Sequence, residues 1–473
     1  MHHIILKKSW IGISCIGLSM MLPAHAEKNG GTDAMGTATP PGSSVQAAPP
    51  QCPTVQHWDA GERMCMPDPE GVTSHENDGA NSQYKAPTSV SPEPAGTPSA
   101  LSPCPPGQTT SSGMNMCMPS QTNPMTSLMF QLNQFMVYSK TSGPRGQTRL
   151  TGPGLWMLMY DAELSPKNHF RVDVMGSPEQ LTVGDKGTPQ LLQTEHVDNM
   201  HAHDTVMALE LRDVFKLDAD GKHRLTFLFA PRGGAAVGPV PFMHRESADG
   251  NPDAPLGHTR QDSFHDVSTV LGVAYGNAGT TVETTTFSGH DIRWPLPMHR
   301  PDSYGLRVNQ NINDQMSVGA SYADALLPDN AGGAEHNQFI SAWLTTSHQL
   351  HGNSLKSSFI WGQIHPRHAP TLNSFLEEVV YQTGMNKFYG RAEILQNTPE
   401  QLELTAANGA ASAKWVKAVT LGYERTLIKK GQLSLFSGGS YTKDIVPAEF
   451  NDAYGSDPRG VKVYLRIRID GSL

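Results

Sequence analysis

Near its C-terminus the chain reads Val461-Lys462-Val463-Tyr464-Leu465-Arg466-Ile467-Arg468-Ile469. Apolar residues occupy every second position, so an extended backbone places Val461, Val463, Leu465, Ile467 and Ile469 on one face and the charged and phenolic side chains on the other. The pattern recurs at Leu225, Phe227 and Phe229 against Arg224 and Thr226, and at Met207, Leu209 and Leu211 against Glu210 and Arg212. It recurs again at Val172 and Val174 against Arg171 and Asp173. A soluble sandwich would alternate too, so the connections must decide. Strand-like segments run from 127–139 to 460–470, and their connections alternate in length: short at 165–167, 277–279, 312–314, 384–386 and 428–430, long at 177–204, 231–266 and 397–412. Short periplasmic turns between long extracellular loops, with an even strand number, are the signature of an outer-membrane barrel. The expected fold is all-β, an antiparallel transmembrane β-barrel of about 16 strands, within a range of about 14–18, over residues 125–473. Lipid then meets the apolar faces and the charged faces look into the lumen. Trp156, Trp343, Trp361 and Trp415 are expected in an aromatic girdle near strand ends.

Composition agrees with strands and turns. The 473 residues are 37% hydrophobic and 17% charged, with 45 Gly and 36 Pro. After the N-terminal thirty residues no apolar run reaches the roughly twenty residues that a helix needs to span a bilayer. The formal charge is -9, and loss of Lys7 and Lys8 with a leader leaves -11, which disfavours a nucleic-acid partner. The expected partners are outer-membrane lipid, metal ions or small solutes, and periplasmic metal-handling proteins.

Residues 1–26 read as a signal peptide: Lys7 and Lys8 precede the apolar Trp10 to Leu22, and Ala24-His25-Ala26 forms a small-residue cleavage site. The protein is therefore expected in the bacterial outer membrane with its N-terminal arm in the periplasm. That arm, residues 27–124, is rich in Pro, Ser, Gly, Thr and Ala and reads as disordered. It carries an internal repeat, 52–67 and 104–119, in which Cys52 to Cys65 and Cys104 to Cys117 each open with Cys-Pro and close with Met-Cys-Met-Pro. Even count and equal spacing in an oxidising compartment favour two local disulfide loops. Met64, Met66, Met116 and Met118 are thioethers of the kind that binds Cu(I), although Met as incidental filler of a stapled knob explains them too.

The long loops hold further candidate ligands. His201-Ala202-His203-Asp204 places two imidazoles on one side of an extended segment before a carboxylate, but a chain with 20 His among 473 residues supplies such a pair by chance. The Met-His dipeptides Met243-His244 and Met298-His299 lie in matching contexts, Pro241-Phe242-Met243-His244-Arg245 and Pro297-Met298-His299-Arg300. Thioether with imidazole suits copper. The bland alternative is a pair of Pro-bounded turns that plug or gate the lumen. No organic cofactor is expected, and a copper ion is the candidate bound species. Asp262-Ser263-Phe264-His265-Asp266 contains the residue types of a hydrolytic triad, but sequence neighbours seldom converge and no Gly-x-Ser-x-Gly elbow occurs, so no enzyme activity is expected.

Several of these segments together resemble a known group. Leu181-Thr182-Val183-Gly184, Pro189-Gln190-Leu191-Leu192-Gln193-Thr194-Glu195, His201-Ala202-His203-Asp204 and Phe242-Met243-His244-Arg245 are similar to motifs of uncharacterised proteobacterial outer-membrane barrels found among heavy-metal resistance genes. Those barrels are distantly like the copper-resistance B outer-membrane proteins. The resemblance implies an outer-membrane barrel contributing to copper or related heavy-metal binding and tolerance. A passive porin-like channel with structural His and Met loops is the alternative.

Overall fold

The computed structural model describes residues 56–59, 64–67, 108–111, 116–119, 126–262, 264–289, 298–328, 334–404 and 412–472. Residues 126–472 build a closed antiparallel barrel with sixteen strand positions. The first four are β1 (Thr126–Thr141), β2 in two pieces (Thr148–Thr151 and Gly154–Ser165), β3 (Asn168–Gly176) and β4 (Ala208–Lys216). Next come β5 (Arg224–Gly233), β6 (Val267–Gly276), β7 (Thr280–Ser288) and β8 (Ser303–Asn313). They are followed by β9 (Met316–Pro328), β10 (Ala334–Leu350), β11 (Asn353–His365) and β12 (Leu372–Thr383). The last are β13 (Asn386–Asn397), β14 (Lys414–Lys430), β15 (Leu433–Ile445) and β16 (Arg459–Ser472). Each strand pairs with its sequence neighbours, and β16 closes the ring on β1, from Gly460 opposite Thr141 to Ser472 opposite Met129.

The break in β2 has a local cause. Pro153 has no N–H to give to the ladder, and the bonds are redirected: Phe135 N donates to Pro153 O at 2.9 Å and Gln134 Nε2 donates to Gly152 O at 2.8 Å. At the short-turn end the chain reverses on residues that tolerate positive φ, Gly384 at +55° and Gly431 at +56°. This moves one expected corner. β14 runs on through Lys430, so the reversal lies at Gly431-Gln432 and not at 428–430, and likewise β8 continues to Asn313, past part of the expected 312–314 turn.

The alternation predicted for the last strand is present: Val461, Val463, Leu465 and Ile467 are exposed on the outside, while Lys462, Tyr464 and Arg466 are buried inward. Two residues depart from the expected faces. Met207 precedes the first regular residue of β4, is not held to the alternation, and is fully buried rather than lipid-facing. Trp343 shares the inward face of β10 with Phe339 and Ser341, buried with Ile360 and Leu376, and Gly319 opposite it leaves room for the indole; Trp415 remains exposed on the girdle side and stacks on Phe375 at 6.3 Å.

In the arm, the described residues form two hairpins, Gln56–Asp59 with Met64–Pro67 and Gln108–Ser111 with Met116–Pro119. Both hairpins fall within the two repeated modules, 52–67 and 104–119. Cys65 lies opposite Trp58 and Cys117 opposite Thr110, whereas Cys52 and Cys104 lie outside the described residues, as do the signal peptide and the rest of the arm.

An apolar outer surface on a closed ring satisfies every strand amide without offering an edge, which is the condition for crossing lipid with strands. The protein is a β-barrel of the bacterial outer membrane. The N-terminus of β1 and the C-terminus of β16 lie at the end of the short turns, which faces the periplasm. Replacing Leu465, mid-strand on the lipid face, with Arg is expected to cost about 2–4 kcal/mol in a denaturant titration of the liposome-folded protein; no change would mean that this face does not meet lipid.

Candidate functional site

Two of the long connections fold back into the barrel. The β3–β4 loop contains one helical turn, Glu179–Thr182, and a two-residue ladder between Thr188–Pro189 and Asn199–Met200. The β5–β6 loop contains short turns at Phe242–His244, Glu246–Ala248 and His258–Gln261. Almost all of its residues are buried, so its own polar groups need partners from the wall. Ala236 N donates to Thr285 Oγ1 at 2.8 Å, Gly238 N to Ser321 Oγ at 2.7 Å, and Ser247 Oγ to Ser358 Oγ at 2.7 Å. On the opposite wall Tyr464 OH donates to Gly250 O at 2.7 Å. The loop thus crosses the lumen and is fastened on strands from β7 round to β16.

Charged pairs do most of the fastening. Arg245 Nε donates to Glu378 Oε2 at 2.6 Å and its Nη1 to Asp262 Oδ1 at 3.0 Å. Lys387 Nζ and Arg466 Nη2 donate to the two oxygens of Asp249 at 2.5 and 2.6 Å, and Lys462 pairs with Asp253. Burial alone would raise the Asp249 carboxyl, but Arg466, Lys387 and Arg468 outweigh it and hold it well below the usual range.

A second set joins the two loops to each other. Glu195 of the first is buried with Oε2 2.7 Å from His201 Nδ1 and Oε1 3.0 Å from His258 Nε2 of the second. Burial opposes ionisation of Glu195, yet His258 and His201 overcome it and depress the carboxyl far below its ordinary value. The converse holds for His258, where burial lowers and Glu195 with Asp262 raises, leaving the imidazole at about 9. Phe242 meets the His258 ring edge-on at 5.7 Å.

Below this plug lies a cavity of about 800 Å³. Gly384, Asn386, Gly431 and Gln432 of the short turns line its periplasmic mouth, and Met200, His203, Met207, Phe242, Met243 and His244 line its inner end. His203 Nδ1 donates to Glu179 Oε2 at 2.7 Å, which fixes the ring and leaves Nε2 buried with no hydrogen-bond partner. His244 Nε2 is likewise buried and without a hydrogen-bond partner, and burial, with help from Arg468, pulls its imidazole down to about 4, so that it is neutral at pH 7. A carboxylate behind a histidine whose other nitrogen is bare is the arrangement that orients a metal-binding imidazole. Among the described residues no three His, Cys, Asp or Glu stand close enough together to hold a metal ion. A site here must therefore draw on thioether sulfur, and Met200, Met207 and Met243 supply it.

Of the residues singled out in the sequence, the structure brings His203, Met243 and His244 to one cavity end and sends the others elsewhere. His201 faces Glu195, and Asp204 pairs with Arg232 of β5. Met298 is exposed, so the second Met-His segment does not join the first. Met64, Met66, Met116 and Met118 lie on the arm hairpins. In the triad-like run, Asp262 serves Arg245, Phe264 packs into an apolar cluster, and Ser263 lies outside the described residues. Sequence reasoning missed a methionine wall: Met129, Met157, Met159, Met175 and Met207 are buried together, with Met243 packed against them. The spacing Met157-x-Met159 inside an alternating strand was the available signal.

No protein-family model and no curated protein matches the chain, so the likeness of the loop motifs to heavy-metal resistance barrels rests on those residues alone. Among solved structures, the chain is similar to Salmonella typhi OmpF in complex with daunomycin, with a TM-score of 0.48 and 9% identity over 74% of this chain and 99% of that one. It is similar to the outer membrane channel DcaP of Acinetobacter baumannii, with a TM-score of 0.45 and 9% identity over 73% and 97%. It is also similar to the anion-selective porin from Comamonas acidovorans, with a TM-score of 0.44 and 11% identity over 73% and 99%.

Two outcomes follow from the plug. Arg245→Met leaves Glu378 and Asp262 each short of a buried partner and is expected to cost about 3–5 kcal/mol, read as a lower denaturant midpoint and a larger single-channel current. Because the folded-state value of His258 is raised, its pair with Glu195 contributes fully below about pH 6.5 and is lost as pH climbs through about 9. Glu195, held low, contributes above about pH 4.5 and is lost only in stronger acid. Conductance of the reconstituted protein should rise between about pH 7 and 10 and His258→Gln should remove that rise; a flat wild-type profile would refute the role given to this pair.

Proposed function

We propose that the protein is a plugged, porin-like outer-membrane barrel that binds a soft metal ion, copper or a related heavy metal, from the periplasmic side and so contributes to metal tolerance. The observation that carries this reading is the pair of bare imidazole nitrogens on His203 and His244, at the inner end of the vestibule beside Met200, Met207 and Met243. Imidazole with thioether is a borderline-to-soft donor set and favours copper over magnesium or calcium. In this reading the Cys-Met hairpins of the arm collect the ion on the periplasmic side and the vestibule receives it, with periplasmic metal-handling proteins as partners.

A second reading, a channel for small solutes, is favoured by the charged lumen wall, where Arg307, Arg391, Glu393 and Glu424 are buried away from lipid. Copper titration of the detergent-folded protein under reducing and oxidising conditions separates the two, with a chain beginning at Met125 run in parallel. Saturable binding at micromolar concentration or below, weakened at least about tenfold by His203→Gln with His244→Gln, is the expected result. Absence of binding to either chain would leave the solute channel.

A further inference from the structure

We infer that the methionine wall on β1, β2 and β3 is itself a binding site, deeper than the imidazoles, for a monovalent d10 cation, Cu(I) or Ag(I). The inference rests on the soft-metal reading above and specifies the ion's oxidation state.

The barrel register builds the site. Met129 lies directly opposite Met159, and Met157 directly opposite Met175. Met157 and Met159 are two residues apart on one strand, so their side chains leave the same face, and Met207 N donates to Met175 O at 2.7 Å. Directly opposed residues have Cβ atoms about 4.5–5.5 Å apart, and each methionine side chain has three rotatable bonds, so several sulfurs can converge on one ion. Five of the seven buried members of this cluster are methionine. Elsewhere the inward positions of the wall are polar at Thr285, Arg307, Ser321, Ser341 and Ser358, or apolar without sulfur at Phe287, Phe339, Ile360 and Leu376. Apolar packing of the plug would be met equally by Leu, whose side chain carries no donor.

The chemistry selects the charge. Thioethers are neutral and soft, so they suit Cu(I) or Ag(I) and leave a dication uncompensated in a dry setting. The carboxylate opposite Met159 is Asp173, and it already accepts from Arg171 Nε at 2.8 Å and pairs with Arg212. Little negative charge is left over to balance a second positive charge on the ion. Access runs through Met207 and Met243, which line the cavity on one side and pack into the cluster on the other.

The test is silver(I) titration of the full-length mature protein folded in detergent, with free thiols alkylated, beside Met157→Leu/Met159→Leu/Met175→Leu and His203→Gln/His244→Gln variants. Leu conserves volume, and heat-modifiable gel mobility reports that each variant has closed its barrel. The expected result is that the Leu variant loses one equivalent of Ag(I), or binds it at least about tenfold more weakly, while the Gln variant retains that equivalent, and that zinc(II) does not compete for it. Unchanged stoichiometry and affinity in the folded Leu variant would overturn the thioether site while leaving the imidazole site standing. Loss of the same equivalent in the Gln variant would assign the ion to the imidazoles and overturn the separate site. No Ag(I) binding by the wild type would overturn both readings.

Discussion

Charge that is kept out of lipid must be neutralised inside the barrel, and the rest of the structure follows from that demand. The strands put apolar side chains outward, so their alternate positions deliver arginines, lysines and carboxylates into a narrow interior. Arg245 shows the solution: a loop cation set between a loop carboxylate, Asp262, and a wall carboxylate, Glu378, which Arg391 also approaches at 3.0 Å. Asp249 is the mirror case, a loop anion between two wall cations. Loop and wall are each incompletely paired alone, and the plug exists because each completes the other.

This coupling also explains which loop residues are left for chemistry. Several histidines in the plug are committed to holding it together, since His201 and His258 balance Glu195 and His203 uses one nitrogen on Glu179. What remains at the cavity is a small number of donors, two nitrogens and several sulfurs. A site assembled from leftovers of a structural network inherits its rigidity, since moving His203 would expose Glu179, whose carboxylate also accepts from Gly154 N at 2.8 Å and His203 N at 2.8 Å.

The barrel was legible in the sequence because period-two alternation and turn spacing are local properties: β16 and β3 place their residues on the faces that the sequence indicates. Departures come where composition suggests a place that strand parity does not grant. Trp343 lies in the middle of β10 on the same inward face as Phe339 and Ser341, and Gly319 on the adjacent strand leaves room for its indole. The candidate site was legible only in fragments. Met243 and His244 stood out as a repeated dipeptide, yet Met298, alike in its sequence context, is exposed and does not line the cavity. The methionine wall is assembled from three strands and a loop root, and no linear motif encodes the register that sets Met157 across from Met175.

The seam between β1 and β16 has a consequence for biogenesis. Thirteen residue pairs join these strands, from Gly460 with Thr141 to Ser472 with Met129, so the earliest strand of the barrel keeps a row of unmatched amides until the latest one arrives. In lipid each such group costs several kcal/mol. A chain cut short before residue 459 would present two raw edges to the membrane and to other chains, whereas a full-length chain presents none. Satisfying the backbone of the first strand therefore depends on the last one, more than three hundred residues away along the chain.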